Sequence, residues 1–260
     1  MTQSRIGIVV DSTAQIPTEL TKQYGIHVIP QTLVWGTETF YDSVDITPTE
    51  FYERLRDDPV FPTTSQVTVR EFQELFASVG SESEEGVLVI ILSGELSGTL
   101  NSATQARGLL PDMQIEIIDT RTISMATGYI ALAAARAAEE GKSLLECAEI
   151  AREALDRVGA FITVETLEYL HRGGRIGGAR KLLGNALNIK PILTVRDGVV
   201  AEAGKVRTRK KALRHVLDEV SEAVTGKENI RLAALHAVAP EEATALLQDA
   251  SERIKPVESH

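Results

Sequence analysis

Short apolar runs alternate with segments of helical spacing along the first half of the chain. The clearest apolar runs cover residues 6–10 and 87–92, and small polar residues follow each of them. Unbroken apolar runs of this length are typical of strands buried on both faces, as in a parallel sheet covered by helices. The alternation therefore predicts an α/β fold with a parallel sheet and helices on both of its faces.

Other segments of this half complete the predicted order of elements. The pattern predicts a strand over 26–34, helices over 48–57 and 69–79, and a hydroxyl-rich loop over 62–68. A strand over 87–92, a helix over 99–109 and a strand over 114–118 form a βαβ unit, and helices over 122–140 and 143–158 follow.

The pattern changes after Gly159. Segments 161–164, 191–195 and 199–203 are strand-like, and Arg196-Asp197-Gly198 predicts a tight turn that joins the last two as an antiparallel hairpin. A helix over 208–224, a strand over 231–238 and a helix over 240–254 follow. We therefore expect an N-terminal α/β domain over residues 1–159 and a mixed-sheet α+β domain over 160–260.

Polar clusters stand where the predicted parallel strands end. They comprise residues 11–13, 93–99 and 119–120, and residues 63–66 form a fourth cluster after Phe61-Pro62. Open α/β sheets bind ligands at the carboxyl ends of their strands, so we expect these clusters to meet at one edge. Ser97 and Thr99 lie at a helix start, where hydroxyls and unpaired N–H groups bind anions. Either residue can instead simply cap the helix.

Composition and charge narrow the class of protein. The 260 residues are 43% hydrophobic and 25% charged, as in ordinary globular proteins, and the net charge is −10. That charge opposes binding to the phosphate backbone of nucleic acids. The sequence shows neither a secretory signal nor a run of membrane-spanning length, which predicts a cytosolic protein. Cys147, the single cysteine, is expected to be a buried core residue.

Motifs for catalysis and metal binding are weak. The five histidines are scattered and none has metal-ligand spacing, so we expect no metal and no cofactor. Ser97 lies in a glycine-flanked loop, yet its spacing differs from that of a hydrolase nucleophile. Two basic stretches, residues 171–178 and 205–214, suit the recognition of phosphate or of an acidic partner. Both also suit a solvated surface.

Taken together, these segments resemble the DegV family of bacterial fatty-acid-binding proteins. The resemblance runs along nearly the whole chain. It rests on Asp11-Ser12-Thr13, Pro62-Thr63-Thr64-Ser65-Gln66, Leu96-Ser97-Gly98-Thr99, Asp119-Thr120, Gly173-Gly174-Arg175-Ile176, Lys190-Pro191-Ile192-Leu193 and Lys205-Val206-Arg207-Thr208-Arg209-Lys210-Lys211-Ala212.

The resemblance implies a two-domain carrier with one long-chain fatty acid between its domains. It implies that the carboxyl group is bound by hydroxyls of Thr63 or Thr64, with Ser65 beside them, and of Ser93 or Ser97. It also implies a partner, an ATP-dependent fatty acid kinase that converts the presented acid into an acyl-phosphate for phospholipid synthesis. Arg172, Arg175, Arg207 and Arg209 are then candidates for contact with the phosphate or the kinase.

The sequence departs from the family pattern in three places, one of which is Val67, where the family frequently has proline. Family members commonly carry paired serines where this chain has Ser93-Gly94-Glu95, and Glu95 must point outward to avoid repelling a carboxylate. The family also continues with a strand and a histidine-containing glycine-rich segment, so we expect a shortened second domain. His260 does not match that histidine. Two alternatives remain: a serine hydrolase that uses Ser97, and a regulatory adaptor with an incidental lipid.

Overall fold

The computed structural model describes residues 5–260, without the side chains of residues 184–188. The chain forms two compact units. The first comprises the described residues up to Thr47 together with Pro59–Ala160, and the second comprises Pro48–Asp58 and Phe161–His260. The boundary predicted at 159–160 is a boundary between independently folding domains. The two contact-based units do not test independent folding, so this boundary stays a prediction.

The first unit contains strands and helices that alternate along most of its length. They are β1 (Gly7–Asp11), α1 (Thr18–Gln23), β2 (Ile26–Ile29), β3 (Thr32–Trp35), β4 (Glu38–Tyr41), β5 (Thr63–Ser65), α3 (Val69–Ser81), β6 (Val87–Ile91), α4 (Thr99–Gly108), β7 (Ile115–Asp119), α5 (Ser124–Glu139) and α6 (Leu144–Ala154). Two single-turn 3₁₀ helices, Ser12–Ala14 and Leu155–Arg157, complete it.

Four strands form the predicted parallel sheet, in the order β2-β1-β6-β7. Every residue of the central strands β1 and β6 is buried. The side chains of Val87, Val89 and Ile91 pack with Phe72 and Phe76 of α3 on one face. Helices α5 and α6 contact the strands as well. The apolar run over 87–92 is thus a buried strand because the sheet is covered on both faces.

A second, smaller sheet of this unit corrects two predictions. Its order is β4-β3-β5, and all its pairs are antiparallel. The single strand expected over 26–34 is wrong: β2 ends at Ile29 and β3 begins at Thr32, since Pro30 has no N–H for the ladder. The loop expected over 62–68 contains β5, which forms because its threonines pair with β3.

The second unit is built around an antiparallel sheet. Its elements are α2 (Pro48–Asp57), β8 (Phe161–Thr163), α7 (Glu168–Arg172), a 3₁₀ segment (Gly177–Asn188), β9 (Lys190–Arg196), β10 (Val199–Val206), α8 (Arg209–Ala223), β11 (Arg231–Leu232), α9 (Pro240–Ile254) and β12 (Glu258–Ser259). The sheet order is β10-β9-β8.

The predicted hairpin of the second unit is confirmed. Strands β9 and β10 pair antiparallel, and the turn residues Asp197 and Gly198 have φ of 53° and 83°, as a two-residue hairpin turn requires. The strand expected over 231–238 is wrong in length, because only Arg231 and Leu232 pair, in parallel with β12. Parallel and antiparallel pairing therefore occur in this unit in separate sheets. Within the described residues, no helix is long and apolar enough to cross a membrane.

Cys147 is fully buried in α6, as expected, and burial raises the pKa of its thiol from 9.0 to about 11. The thiolate fraction at neutral pH is therefore about a hundredfold smaller than in an exposed cysteine. We expect the folded protein to react negligibly with a disulfide reagent such as DTNB at pH 8. One thiol per chain should react once the protein is unfolded in urea, and fast reaction without urea would contradict the burial.

Candidate functional site

Three of the four predicted polar clusters meet at one edge of the parallel sheet of the first unit, whereas the fourth, residues 63–66, begins with β5 of the small antiparallel sheet. Asp11 ends β1 and Asp119 ends β7, and the loop over 92–98 lies between them in the sheet order. The Asp11 carboxylate accepts a hydrogen bond from the backbone N–H of Leu92 at 2.9 Å. The Asp119 carboxylate accepts one from the N–H of Gly94 at 3.3 Å. Both carboxylates therefore hold the loop that follows β6.

Asp11 is completely buried. Besides the bond from Leu92, it accepts one from the N–H of Thr13 at 3.0 Å and one from the Thr13 hydroxyl at 2.5 Å. Burial raises the pKa of this carboxyl above its usual value, and the donated hydrogen bonds only partly offset that effect.

The serines of the loop differ in exposure. Ser93 is fully buried, and its Oγ accepts a hydrogen bond from the N–H of Glu95 at 3.2 Å. Ser97 is half-buried; its Oγ lies 2.9 Å from Oγ1 of Thr99 and accepts from the N–H of Thr99 at 3.2 Å. Ser97 thus satisfies the first N–H of α4 and still reaches the surface of this unit. Glu95 is exposed, as the sequence requires.

The predicted residues of the Thr63–Ser65 segment form β5, and all three are exposed. Across the part of the chain that the structure describes, the side-chain hydroxyls of Thr63 and Thr64 have no hydrogen-bond partner. Thr64 pairs with Leu33, a buried residue, whereas Ser65 pairs with Thr32. Because paired residues of an antiparallel ladder share a face, Thr64 lies on the face of Leu33, and Thr63 and Ser65 lie on the other.

Gln66 joins this segment to the start of α4. Its Nε2 donates to Oγ of Ser102 at 3.1 Å. Its side chain also lies directly over Gly98, where a β-carbon would come within 1.7 Å of Oε1. The structure therefore brings the hydroxyl segment of residues 63–65 to the turn that carries Ser97.

The four predicted arginines lie in the second unit and differ in their contacts. Arg172 forms an ion pair with Glu168 at 3.0 Å, and Arg175 donates to the backbone carbonyl of Gly173 at 2.6 Å. Arg207 is exposed and, among the residues described, its side chain has no partner. Arg209, the fourth of them, is held within the unit.

The guanidinium of Arg209 is bonded to Glu242 of α9, with Nε 2.9 Å from Oε2. It also donates to the carbonyl of Thr163 at 3.4 Å. The pairing raises the pKa of Arg209 and lowers that of Glu242. Arg209 therefore joins α8, α9 and β8.

Two observations on the described residues concern metal binding and serine catalysis. Over residues 5–260, side chains 184–188 excepted, no cluster of histidine, cysteine and carboxylate side chains has the geometry of a metal site. In the same range, the hydrogen-bond partners of the Ser97 hydroxyl belong to Thr99 alone. A serine nucleophile needs an adjacent base, which Thr99 does not provide.

Comparison with known proteins places this chain in a family. A sequence model of the DegV family, described as uncharacterised proteins, matches residues 5–260. The chain belongs to the DegV family. A DegV domain-containing protein of Caldanaerobacter subterraneus is 40% identical over 214 residues, which cover 82% of this chain and 76% of the relative.

Solved structures of similar proteins share the fold. One from Thermus thermophilus, described by its fatty acid binding, superposes with a TM-score of 0.90 at 34% identity and covers 98% of this chain and 91% of that one. A stearic acid-binding protein from Eubacterium ventriosum has a TM-score of 0.86 at 27% identity, with coverage of 96% and 88%. The predicted family and the α/β fold are thus confirmed.

Two residues of this DegV-family site were assigned no role by the sequence. Gln31 donates from Nε2 to Oγ1 of Thr99 at 3.1 Å, and Gln66 holds Ser102. Gln66 is part of the motif Pro62-Thr63-Thr64-Ser65-Gln66, so the sequence already indicated that its position matters. Gln31 lay inside the single strand predicted over 26–34, and only the break after Pro30 could have drawn attention to it.

The buried carboxyl of Asp11 gives a testable dependence of stability on pH. Because its pKa is raised in the folded state, this group adds stability that is complete below the unfolded pKa near 3.8 and is lost as pH rises through the folded pKa. Asp11→Asn removes the titration. We therefore expect the stability of the wild type relative to this variant to decrease as pH rises from about 4.

Urea denaturation from pH 4 to pH 8 measures this difference. Asp112→Asn is the control, since Asp112 is exposed. A wild-type advantage over Asp11→Asn that grows with pH would show that the pKa of Asp11 is lowered, contrary to the burial.

Proposed function

We propose that this DegV-family chain is a non-catalytic carrier that binds a long-chain fatty acid through hydroxyl groups of its first unit. The observation that carries the proposal is the contact of Gln66 with Gly98 and Ser102. It brings the hydroxyls of the Thr63–Ser65 segment to the loop that carries Ser97. The fatty-acid-binding structures that the chain resembles support the same ligand class.

Hydroxyl groups suit a carboxyl group without the help of a cation. Each can donate one hydrogen bond to a carboxylate oxygen, and a hydrogen bond to a charged group contributes about 1.5–3 kcal/mol. A neutral donor set also avoids the cost of burying a second charge beside the ligand. The first turn of α4, where the helix dipole is positive, adds to the attraction.

Thr64 and Ser97 are the hydroxyls best placed to donate to the carboxyl group. Thr64 lies on the face of the small sheet that also carries Leu33, and its side chain is exposed. Ser97 is half-buried beside Thr99. Ser93, in contrast, is fully buried, so we assign it to holding the loop through the N–H of Glu95.

A matched pair of threonine substitutions tests this assignment. Thr64→Val removes one donor and keeps the branched shape that suits a strand, so we expect about tenfold weaker binding of stearate, as the loss of one hydrogen bond predicts. Thr63→Val changes the opposite face and should leave binding unchanged. Displacement of a fluorescent fatty acid measures both affinities.

The opposite ranking, with Thr63→Val weaker than Thr64→Val, would contradict the assignment of faces. Mass spectrometry of the denatured wild-type protein checks the ligand itself. We expect it to release a saturated or unsaturated fatty acid of about 14–18 carbons, the length of common membrane acyl chains. A protein without bound lipid and without affinity for stearate would contradict the carrier function.

We also propose that an ATP-dependent fatty acid kinase is the partner that phosphorylates the presented carboxyl group. Acidic residues exceed basic ones in the first unit, whereas the two nearly balance in the second. Arg207 is exposed beside the start of α8, where Thr208 caps the helix by accepting from the N–H of Lys211. A guanidinium at this place suits a phosphate or an acidic surface.

Charge reversal separates presentation to the kinase from lipid binding. Arg207→Glu should reduce acyl-phosphate formation at least tenfold while stearate affinity stays within about twofold, because electrostatic steering acts on the encounter and not on the lipid. Lys227→Glu, an equal charge change at an exposed site beyond the other end of α8, is the control.

Acyl-phosphate is measured by trapping with hydroxylamine. Equal losses in the Arg207 and Lys227 variants would indicate a general charge effect and contradict a role for Arg207. Arg209 is unsuitable for this test, because its reversal would break the pair with Glu242.

A further inference from the structure

Two glutamines, Gln31 and Gln66, lie at the same end of the small sheet, directly beyond β3 and β5. Thr32 of β3 pairs with Ser65 of β5, so Gln31 and Gln66 occupy the next position on the two antiparallel strands. Both lie one residue beyond these strands, and continuing the strand alternation by one residue places them on the face of the pair Leu33–Thr64. Two amide side chains thus emerge together beside the proposed Thr64 donor.

Both amides hold the first turns of α4. The Gln31 amide contacts Thr99, with Nε2 and Oε1 at 3.1 and 3.2 Å from Oγ1. The Gln66 amide donates to Ser102. Thr99 and Ser102 are both buried and are one helical turn apart. We call this pair, Gln31 and Gln66, the glutamine clamp.

Gly98 shows that the contact of Gln66 with the helix is close. The backbone of Gly98 has φ of −71° and ψ of 0°, a conformation open to any residue, so no backbone strain requires a glycine there. A β-carbon at this position would lie 1.7 Å from Oε1 and 2.6 Å from Cδ of Gln66. A side chain at this position would therefore displace the amide of Gln66, the far end of a flexible side chain, from its contact with α4.

We propose that the glutamine clamp sets the distance between the two hydroxyl segments of the site, so that Gln31 and Gln66 are positioning residues for the fatty acid carboxyl group. The small sheet carries Thr64, and the turn before α4 carries Ser97. Donors that bind one carboxyl group must be fixed to within a fraction of an ångström, and side chains behind them supply that rigidity. This inference rests on the proposed fatty acid binding.

Gly98→Ala and Gln66→Ala test the clamp from its two sides. Each should weaken stearate binding by about tenfold, the equivalent of one hydrogen bond. Affinity for stearyl alcohol should change less than about twofold, because the alcohol does not bridge the two segments as a carboxyl group does. A purely structural role would weaken both ligands alike, so the ratio of the two affinities is the decisive readout.

The double variant Gly98→Ala/Gln66→Ala adds a second criterion. Both changes act on one contact, so the double variant should lose no more than either single one, whereas independent effects would multiply. Gly108→Ala, in the same helix with open space around its added β-carbon, and Gln105→Ala, an exposed glutamine of α4, are the matched controls. Both should bind stearate like the wild type.

The outcomes separate the clamp from the function on which it rests. A wild-type protein that fails to bind stearate overturns the proposed function and, with it, the clamp. Stearate binding that survives in Gln66→Ala with an unchanged preference over the alcohol overturns the clamp alone. Gln66→Ala only removes atoms from an exposed residue, so it decides the matter if Gly98→Ala does not fold.

Discussion

The buried carboxylate of Asp11 is the interaction on which the polar edge of the first unit depends. It ends β1 and accepts the N–H of Leu92, the residue directly after β6, so it joins the ends of two neighbouring strands. It also accepts both donors of Thr13. Removing a carboxylate from water costs several kcal/mol, and the hydrogen bonds that Asp11 accepts offset part of that cost. Because they are buried and directional, these bonds fix where the loop begins.

The positions of the other site residues depend on this edge of the parallel sheet. Asp11 sets the start of the loop that carries Ser97, and Gln31 holds Thr99 at its end, so the loop is tied at both ends. The exposed hydroxyl of Thr64 lies on a separate small sheet that reaches the loop through the same clamp. The Asp11 carboxyl group and the two glutamine amides thus hold the framework, whereas hydroxyl groups face the proposed ligand. This division suits a carrier, which must bind a carboxyl group and later release it.

Local signals explain why parts of this fold could be predicted and others could not. The apolar run over 87–92 predicts a buried strand and Asp197-Gly198 predicts a hairpin turn from local sequence alone. The structure confirms both. Strand β5 exists only because it pairs with β3, about thirty residues away, so its hydroxyl-rich sequence favoured a loop. Gln31 remained hidden for the same reason, since its role depends on Thr99, which is distant in sequence. Contacts between distant segments, more than composition, decide these positions.

The basic segment of the second unit, residues 205–214, shows that charge density in the sequence overestimates the number of cations available to a partner. Arg207 and Arg209 stand two residues apart in one run of lysines and arginines, yet their environments differ. The guanidinium of Arg209 is turned inward to Glu242 and to the carbonyl of Thr163, so it stabilises the unit. Arg207 has no such partner within the described residues, and its charge is available to the solvent. Only the second arrangement leaves a cation for a phosphate or an acidic partner, since a guanidinium already paired with a carboxylate would have to break that pair first. The number of basic residues in the segment is therefore larger than the number that can act on a partner.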